Sequence, residues 1–205
     1  MNDKREPPGA TPGDDTSGLI LTNLTTRSAR NAVETEAISL AYEKHIYRAR
    51  RKKRGTEWLV DEFVRGVHHD MFGSIWTWAG QYRRHNTNIG VAWNVIPEKI
   101  KVLCGDFAHW DSDRSSMPVV EIAARLQNRL TQIHPFANGN GRHARLITDI
   151  FFYSCERSLP KWPQIQLEAQ GHEIRDRYIA AQKKADEGEH GDLIRFIEGC
   201  LKEQK

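Results

Sequence analysis

The residues best suited to chemistry lie in one run, His134-Pro-Phe-Ala-Asn-Gly-Asn-Gly-Arg-His-Ala-Arg145. Gly139-Asn140-Gly141 can reach backbone angles closed to most residues, so successive N–H groups can point into one concavity. The run leads into a helix predicted from about Arg142, and a helix N-terminus adds unpaired N–H groups and a dipole that favours an anion. Arg142 and Arg145, three residues apart, fall on neighbouring positions of the first turn. Cations there oppose the macrodipole, so two arginines point to a bound polyanion rather than to helix stability. Pro135 ends the preceding helix, and Phe136 is expected to anchor in the core. His134 is left beside the cradle, where a neutral imidazole can accept a proton. The pattern reads as a nucleotide-phosphate site with a general base. It lacks the Lys-Ser/Thr of a P-loop and its glycines follow no strand, which excludes Walker and Rossmann readings.

The elements that must position this run follow from periodicity and punctuation. Thr25 or Thr26 caps a helix running to about Arg50, with Val33, Ala37, Leu40, Ala41 and Tyr42 near one face. Thr56 caps a second, from Glu57 to about Phe72, and Gly73 stops it. Residues 74–96 have no helical period, and Asn88-Ile-Gly90 reads as the turn of a β-hairpin. Pro97 and Pro118 suit the first turns of two more helices, the second ending before the break at Pro135–Gly141. Beyond Pro160 and Pro163, helices are expected at about 167–186 and 191–202. The expected fold class is mainly α, a helical bundle with one β-hairpin.

Composition bounds the remaining readings. The chain has 205 residues with 30 Lys+Arg, 27 Asp+Glu and a net charge of +3; 39% are hydrophobic and 28% charged. That supports a single core over 19–205 and excludes a wholly disordered chain. Residues 1–18 are polar and Pro/Gly-rich, so they read as a mobile tail and not as a secretory signal. No stretch reaches the ~20 apolar residues that would span a bilayer. Cys104, Cys155 and Cys200 form no close pair, which argues against a disulfide framework or a zinc cluster and makes a reduced, cytoplasmic setting the default. His68 and His69 diverge by ~100° on a helix and are not expected to share a metal. The Arg48–Arg54 run reads as a solvated helix C-terminus, so direct nucleic-acid binding is not expected. Trp76, Trp78 and Trp110 read as packing residues, whereas Trp93 stays open between packing and display to a partner.

The run from His134 to Arg145 resembles the HPFxxGNGRxxR signature of the Fic/Doc (Fido) family. Eight specified residues arise by chance in a chain this long with a probability on the order of 10⁻⁸, which makes the match specific. Trp78-Ala-Gly80 and Asn88-Ile-Gly90 look like the family's flap, and the Thr25-Thr-Arg27, Ile89-Gly-Val91 and His143-Ala-Arg145 elements look most like the bacterial group called mobile mystery protein B. The resemblance implies transfer of AMP from ATP onto a Ser, Thr or Tyr hydroxyl of a target protein. It assigns His134 as the base, and Asn138, Gly139, Asn140, Gly141, Arg142 and Arg145 as the phosphate site. It gives Asn88, Ile89 and Gly90 to a target-docking flap, and implies Mg²⁺ on the nucleotide. It further implies a toxin-like or regulatory role, with an antitoxin or helix-turn-helix protein as a separate partner.

Two departures stand out. The family's acidic metal-binding residue before the GNGR is Asn138 here, a neutral amide that hard cations favour less. Weaker metal binding, a water-bridged metal and altered chemistry are the open consequences, so a catalytically degenerate scaffold or a Doc-like phosphotransferase is the alternative to AMP transfer. Ser39-Leu-Ala-Tyr-Glu43 fits part of the family's inhibitory helix, but Lys44 breaks the pattern and the spacing is no commoner than chance, so it gives no sign of self-inhibition.

Overall fold

A computed structural model describes residues 16–21, 23–51, 57–112 and 116–202. Most of the 1–18 tail, the Thr56 cap, and the Lys52–Arg54 part of the basic run lie outside the described residues. The elements are α1 (Arg27–Arg51), α2 (Asp61–Phe72), a short 3₁₀ turn (Trp93–Val95), α3 (Ile96–Ser112), α4 (Val119–Ile133), α5 (Asn140–Ser154), α6 (Gln164–Glu168), α7 (Glu173–Asp186) and α8 (Gly191–Lys202). Among the described residues no helix is long and apolar enough to cross a membrane.

The bundle is built round α5. From His143 to Phe152 every side chain is buried, polar ones such as Arg145, Thr148 and Asp149 included, so the helix is enclosed by others. Helices α1, α2 and α4 pack against it. Phe136 is fully buried, as expected, and joins Phe107 and Phe151 among the large core side chains. Thr26 Oγ1 accepts the Ala29 N–H at 3.2 Å, the cap expected at the start of α1. The inner face of α1 is set by Arg30, Glu34, Ala41 and His45, whereas Leu40 is 63% exposed and lies off the face assigned to it.

Helix α2, expected from Glu57, opens at Asp61 after an extended Val60 (φ −126°, ψ 164°), and three further departures each have a local reason. Helix α5 opens at Asn140, two residues early, because Gly139 takes the left-handed conformation (φ 77°) that turns the chain into it. The region expected as one helix over 167–186 is two, broken at Gly171 (φ 70°), with His172 Nδ1 accepting the Ile174 N–H to start α7. Between Gly73 and Ala92 no paired strand forms among the described residues. Instead of a hairpin ladder, Arg83 N–H bonds Pro135 O at 3.0 Å and Val91 N–H bonds Ile133 O at 3.3 Å, so this segment lies along the 133–135 turn.

Candidate active site

Helix α4 ends at Ile133, and His134 turns out of it in the left-handed conformation (φ 52°, ψ 60°) with its N–H still bonded to Leu130 O. Histidine visits that region more readily than most residues, but at a cost of about 1 kcal/mol. The turn buries the ring to 7% exposure. One ring nitrogen bonds the Thr131 backbone, and Nε2 is buried without a partner. The ring proton therefore resides on Nδ1, leaving the Nε2 lone pair unsatisfied. Burial, then the nearby Arg83 guanidinium, lower its pKa to about 4, so the ring is neutral at physiological pH.

The loop after His134 is braced from two sides. Asn140 Oδ1 accepts the Phe136 N–H at 2.9 Å and its Nδ2 donates to Phe136 O at 2.8 Å, closing the loop on itself. That commits the Asn140 side chain to the fold and leaves its backbone N–H for an anion. His68, fully buried, stacks on Phe136 with ring centroids 3.7 Å apart. Its Nδ1 accepts the Gly80 N–H at 3.0 Å, so Nε2 carries the proton and donates to Asn138 O at 3.0 Å. Gly139 cannot be replaced without strain, since a Cβ there would lie 2.6 Å from the Phe72 ring. The Gly139 N–H bonds Asn138 Oδ1 at 2.6 Å, and the amides of Asn140, Gly141 and Arg142 then open α5 with no preceding turn to accept them.

Both arginines face this opening but neither is idle. Arg142 Nη1 pairs with the buried Glu34 carboxylate at 2.7 Å, and its guanidinium lies 4.9 Å from the Phe72 ring centroid. Glu34 Oε1 also accepts the Trp76 indole N–H at 2.7 Å. Arg145 doubles back toward Gly141, donates to Gln164 Oε1 at 2.9 Å and bonds the Tyr178 hydroxyl; burial lowers its pKa from the usual arginine range. Asn88 and Gly90 are exposed and Ile89 is half-buried, with Gly90 (φ 96°) against His134. The structure thus brings His134, the loop and the two arginines into one region. Glu34, His68, Arg83, Gln164 and Tyr178 complete it; of these the sequence had drawn attention to His68 alone, and then only as not sharing a metal with His69.

The donor set does not suit a tightly held Mg²⁺. Asn138 offers a neutral oxygen already bonded to Gly139, Glu34 is held by Arg142 and Trp76, and no cluster of three His, Cys, Asp or Glu side chains with metal-binding geometry occurs among the described residues. Asn138→Asp supplies the missing carboxylate. ATP affinity should then gain about a tenfold dependence on Mg²⁺, read by calorimetry with and without the metal. No gain would mean that the side chain at 138 does not meet the phosphates.

Buried imidazoles also set how the fold responds to acid. Burial holds His134 and His143 at about 4 and His68 well below its ordinary value. The unfolded chain takes up these protons near pH 6.5 and the folded one does not, so stability is full above pH 6.5 and is lost as pH falls toward 4. Asp149 opposes this: burial pushes its carboxyl up to about 8, so the fold keeps a proton that the unfolded chain releases above pH 3.8. With His45 also lowered by burial, the imidazoles outweigh Asp149 between pH 6.5 and 5, so the fold loses stability over that interval. The thermal midpoint should drop by several degrees over that interval; a flat midpoint would contradict the neutral burial of these rings.

Fold and site together describe a helical domain organised around one glycine-opened helix N-terminus. Residues 58–152 match the model of the Fic/DOC family. The protein adenylyltransferase Fic of Drosophila virilis is 30% identical over 123 residues, which is 59% of this chain and 24% of that protein. The chain thus spans about a quarter of the length of such relatives. A Fic-domain signalling protein from Bacteroides thetaiotaomicron superposes with a TM-score of 0.66 at 20% identity, covering 82% of this chain and 68% of that one. BepC from Bartonella tribocorum, solved with AMPPNP, superposes at 0.57 and 15% identity, covering 82% and 86%. At these identities the solved structures speak to the fold alone.

Proposed function

We propose that the protein transfers AMP from ATP to a hydroxyl side chain of a target protein. One observation carries the reading: a neutral imidazole with an unpartnered Nε2 stands at the head of the same short run that supplies a helix N-terminus and two arginines. The amides of Asn140, Gly141 and Arg142 hold phosphate oxygens, and Arg142 and Arg145 neutralise charge that builds on the departing group. His134 Nε2 is closed off from solvent in this structure, so once the residues covering it draw back the target hydroxyl gives it its proton while the hydroxyl oxygen bonds the α-phosphorus. The bond to the bridging oxygen breaks, and pyrophosphate leaves with that electron pair. Anionic phosphates beside the ring raise its pKa from about 4 and so strengthen the base as substrate binds. The adenylyltransferase name of the Drosophila virilis relative supports the same chemistry.

A second reading, a domain that holds nucleotide without transferring it, is favoured by Asn138 and by the Glu34 carboxylate already seated on Arg142. Incubation of the protein and a cell lysate with ATP labelled at either the α- or the γ-phosphate separates the possibilities. Protein labelling from the α-position alone supports AMP transfer, and labelling from the γ-position alone replaces it with phosphoryl transfer. Thermal stabilisation by ATP with no labelling from either supports the holding role.

A further inference from the structure

Arg83 is 3% exposed, yet among the described residues its guanidinium pairs with no carboxylate. Its hydrogen bonds go to backbone carbonyls: Nε to His134 O at 2.8 Å, Nη1 to His85 O at 2.8 Å, and Nη2 to Val91 O at 2.5 Å and Ile133 O at 3.5 Å. Two of these oxygens belong to the turn that carries the base, and two to the outer segment. Burying a cation without a counter-charge is costly, and only its full set of oriented acceptors offsets that. A planar fork of five donors can address both segments at once; a lysine ammonium on the same stem cannot.

The neighbouring glycine shows how closely the two segments are held. A Cβ on Gly90 would lie 2.5 Å from His134 Cβ, 2.8 Å from Arg83 Nη2 and 3.0 Å from Ile133 O. Gly90 therefore lies directly against His134, with the Arg83 guanidinium beside them both. The backbone bond from the Val91 N–H to Ile133 O, at 3.3 Å, ties the same two segments beside the contacts of the guanidinium.

We propose that Arg83 is a positioning residue that locks segment 85–91 to the His134 turn, so that a protein acceptor docked along 88–90 meets the base at a fixed distance. This rests on His134 acting as the base, and the test separates the two ideas. Arg83→Lys keeps the charge and loses the fork. In the full chain, hydrogen exchange across 85–91 should rise at least about tenfold, while exchange in α4 and α5 and the stabilisation by ATP stay within about twofold of the wild type. Labelling of lysate proteins from α-labelled ATP should fall at least about tenfold, with AMP released to water largely retained. Arg84→Lys, on an exposed neighbour, should change neither.

Gly90→Ala crowds His134 Cβ and Arg83 Nη2 alike, so it pushes the same segment off the base and should give the same split between protein labelling and AMP release. It decides the matter if Arg83→Lys proves too unstable to study. Unchanged exchange in Arg83→Lys overturns the lock, and raised exchange with undiminished labelling overturns its positioning role. If the wild type labels nothing, AMP transfer fails as the function, and with it the positioning role, while the exchange data still report whether Arg83 holds the segment.

Discussion

Replacing His134 with asparagine lowers protein labelling from α-labelled ATP by about a thousandfold, while ATP still stabilises the fold. The size follows from the role: a positioned general base contributes roughly 10²–10⁴ in rate. Asparagine is the informative substitution because it tolerates the left-handed conformation that His134 adopts at φ 52° and cannot take a proton in its place. Alanine at that φ adds backbone strain, so its effect mixes lost chemistry with a displaced turn. Labelling assays and thermal shifts on the two variants together separate these causes. Asparagine with near-normal labelling would remove His134 from the chemistry.

Arg142→Ala should lower ATP affinity about a hundredfold or more. Charge-assisted hydrogen bonds to phosphate are worth about 1.5–3 kcal/mol, and the substitution also leaves the buried Glu34 carboxylate unpaired beside the phosphate site. An unpaired buried charge costs about 3–5 kcal/mol, so the free protein is destabilised as well. Glu34→Gln acts in the opposite direction. It keeps an oxygen for the Trp76 indole and releases Arg142 from a carboxylate that phosphate must otherwise displace, so ATP affinity should rise about tenfold. The double variant recovers the stability lost in Arg142→Ala but not the affinity. Calorimetric titration with ATP reads both. A weaker-binding Glu34→Gln would mean that the pair holds Arg142 in its binding pose instead of competing for it.

How much of this was legible in the sequence depends on the range of the forces involved. The run from His134 to Arg145 was readable because its parts are neighbours in the chain: glycine angles, a helix start and two arginines one turn apart act locally. The helices were readable for the same reason, since an apolar stripe repeats within one element. Glu34 and Arg83 were not readable. They reach Arg142 and His134 from elements far away in sequence, and a single carboxylate or guanidinium in a chain that is 28% charged carries no local mark. Sequence pattern drew attention instead to Glu43, which the fold leaves exposed on α1, while Glu34 earlier on the same helix turns inward.

The stretch around Asn88-Ile-Gly90 illustrates a different limit. Turn chemistry there suggests a hairpin, and Gly90 does take a positive φ. The ladder is missing because the backbone groups of Arg83 and Val91 bond the 133–135 turn, a choice made by tertiary packing. His68 belongs to the same category. Its type and place on α2 argued only against a metal shared with His69, and its bond to Asn138 O exists because α2 runs beneath the loop.

The most direct measurement is a crystal structure of the full chain with a non-hydrolysable ATP analogue. The account predicts phosphates seated on the amides of Asn140, Gly141 and Arg142, Arg142 turned from Glu34 toward them, and the α-phosphorus as the phosphate nearest His134 Nε2. A γ-phosphate in that place, or a nucleotide bound elsewhere with Glu34 still on Arg142, would contradict it.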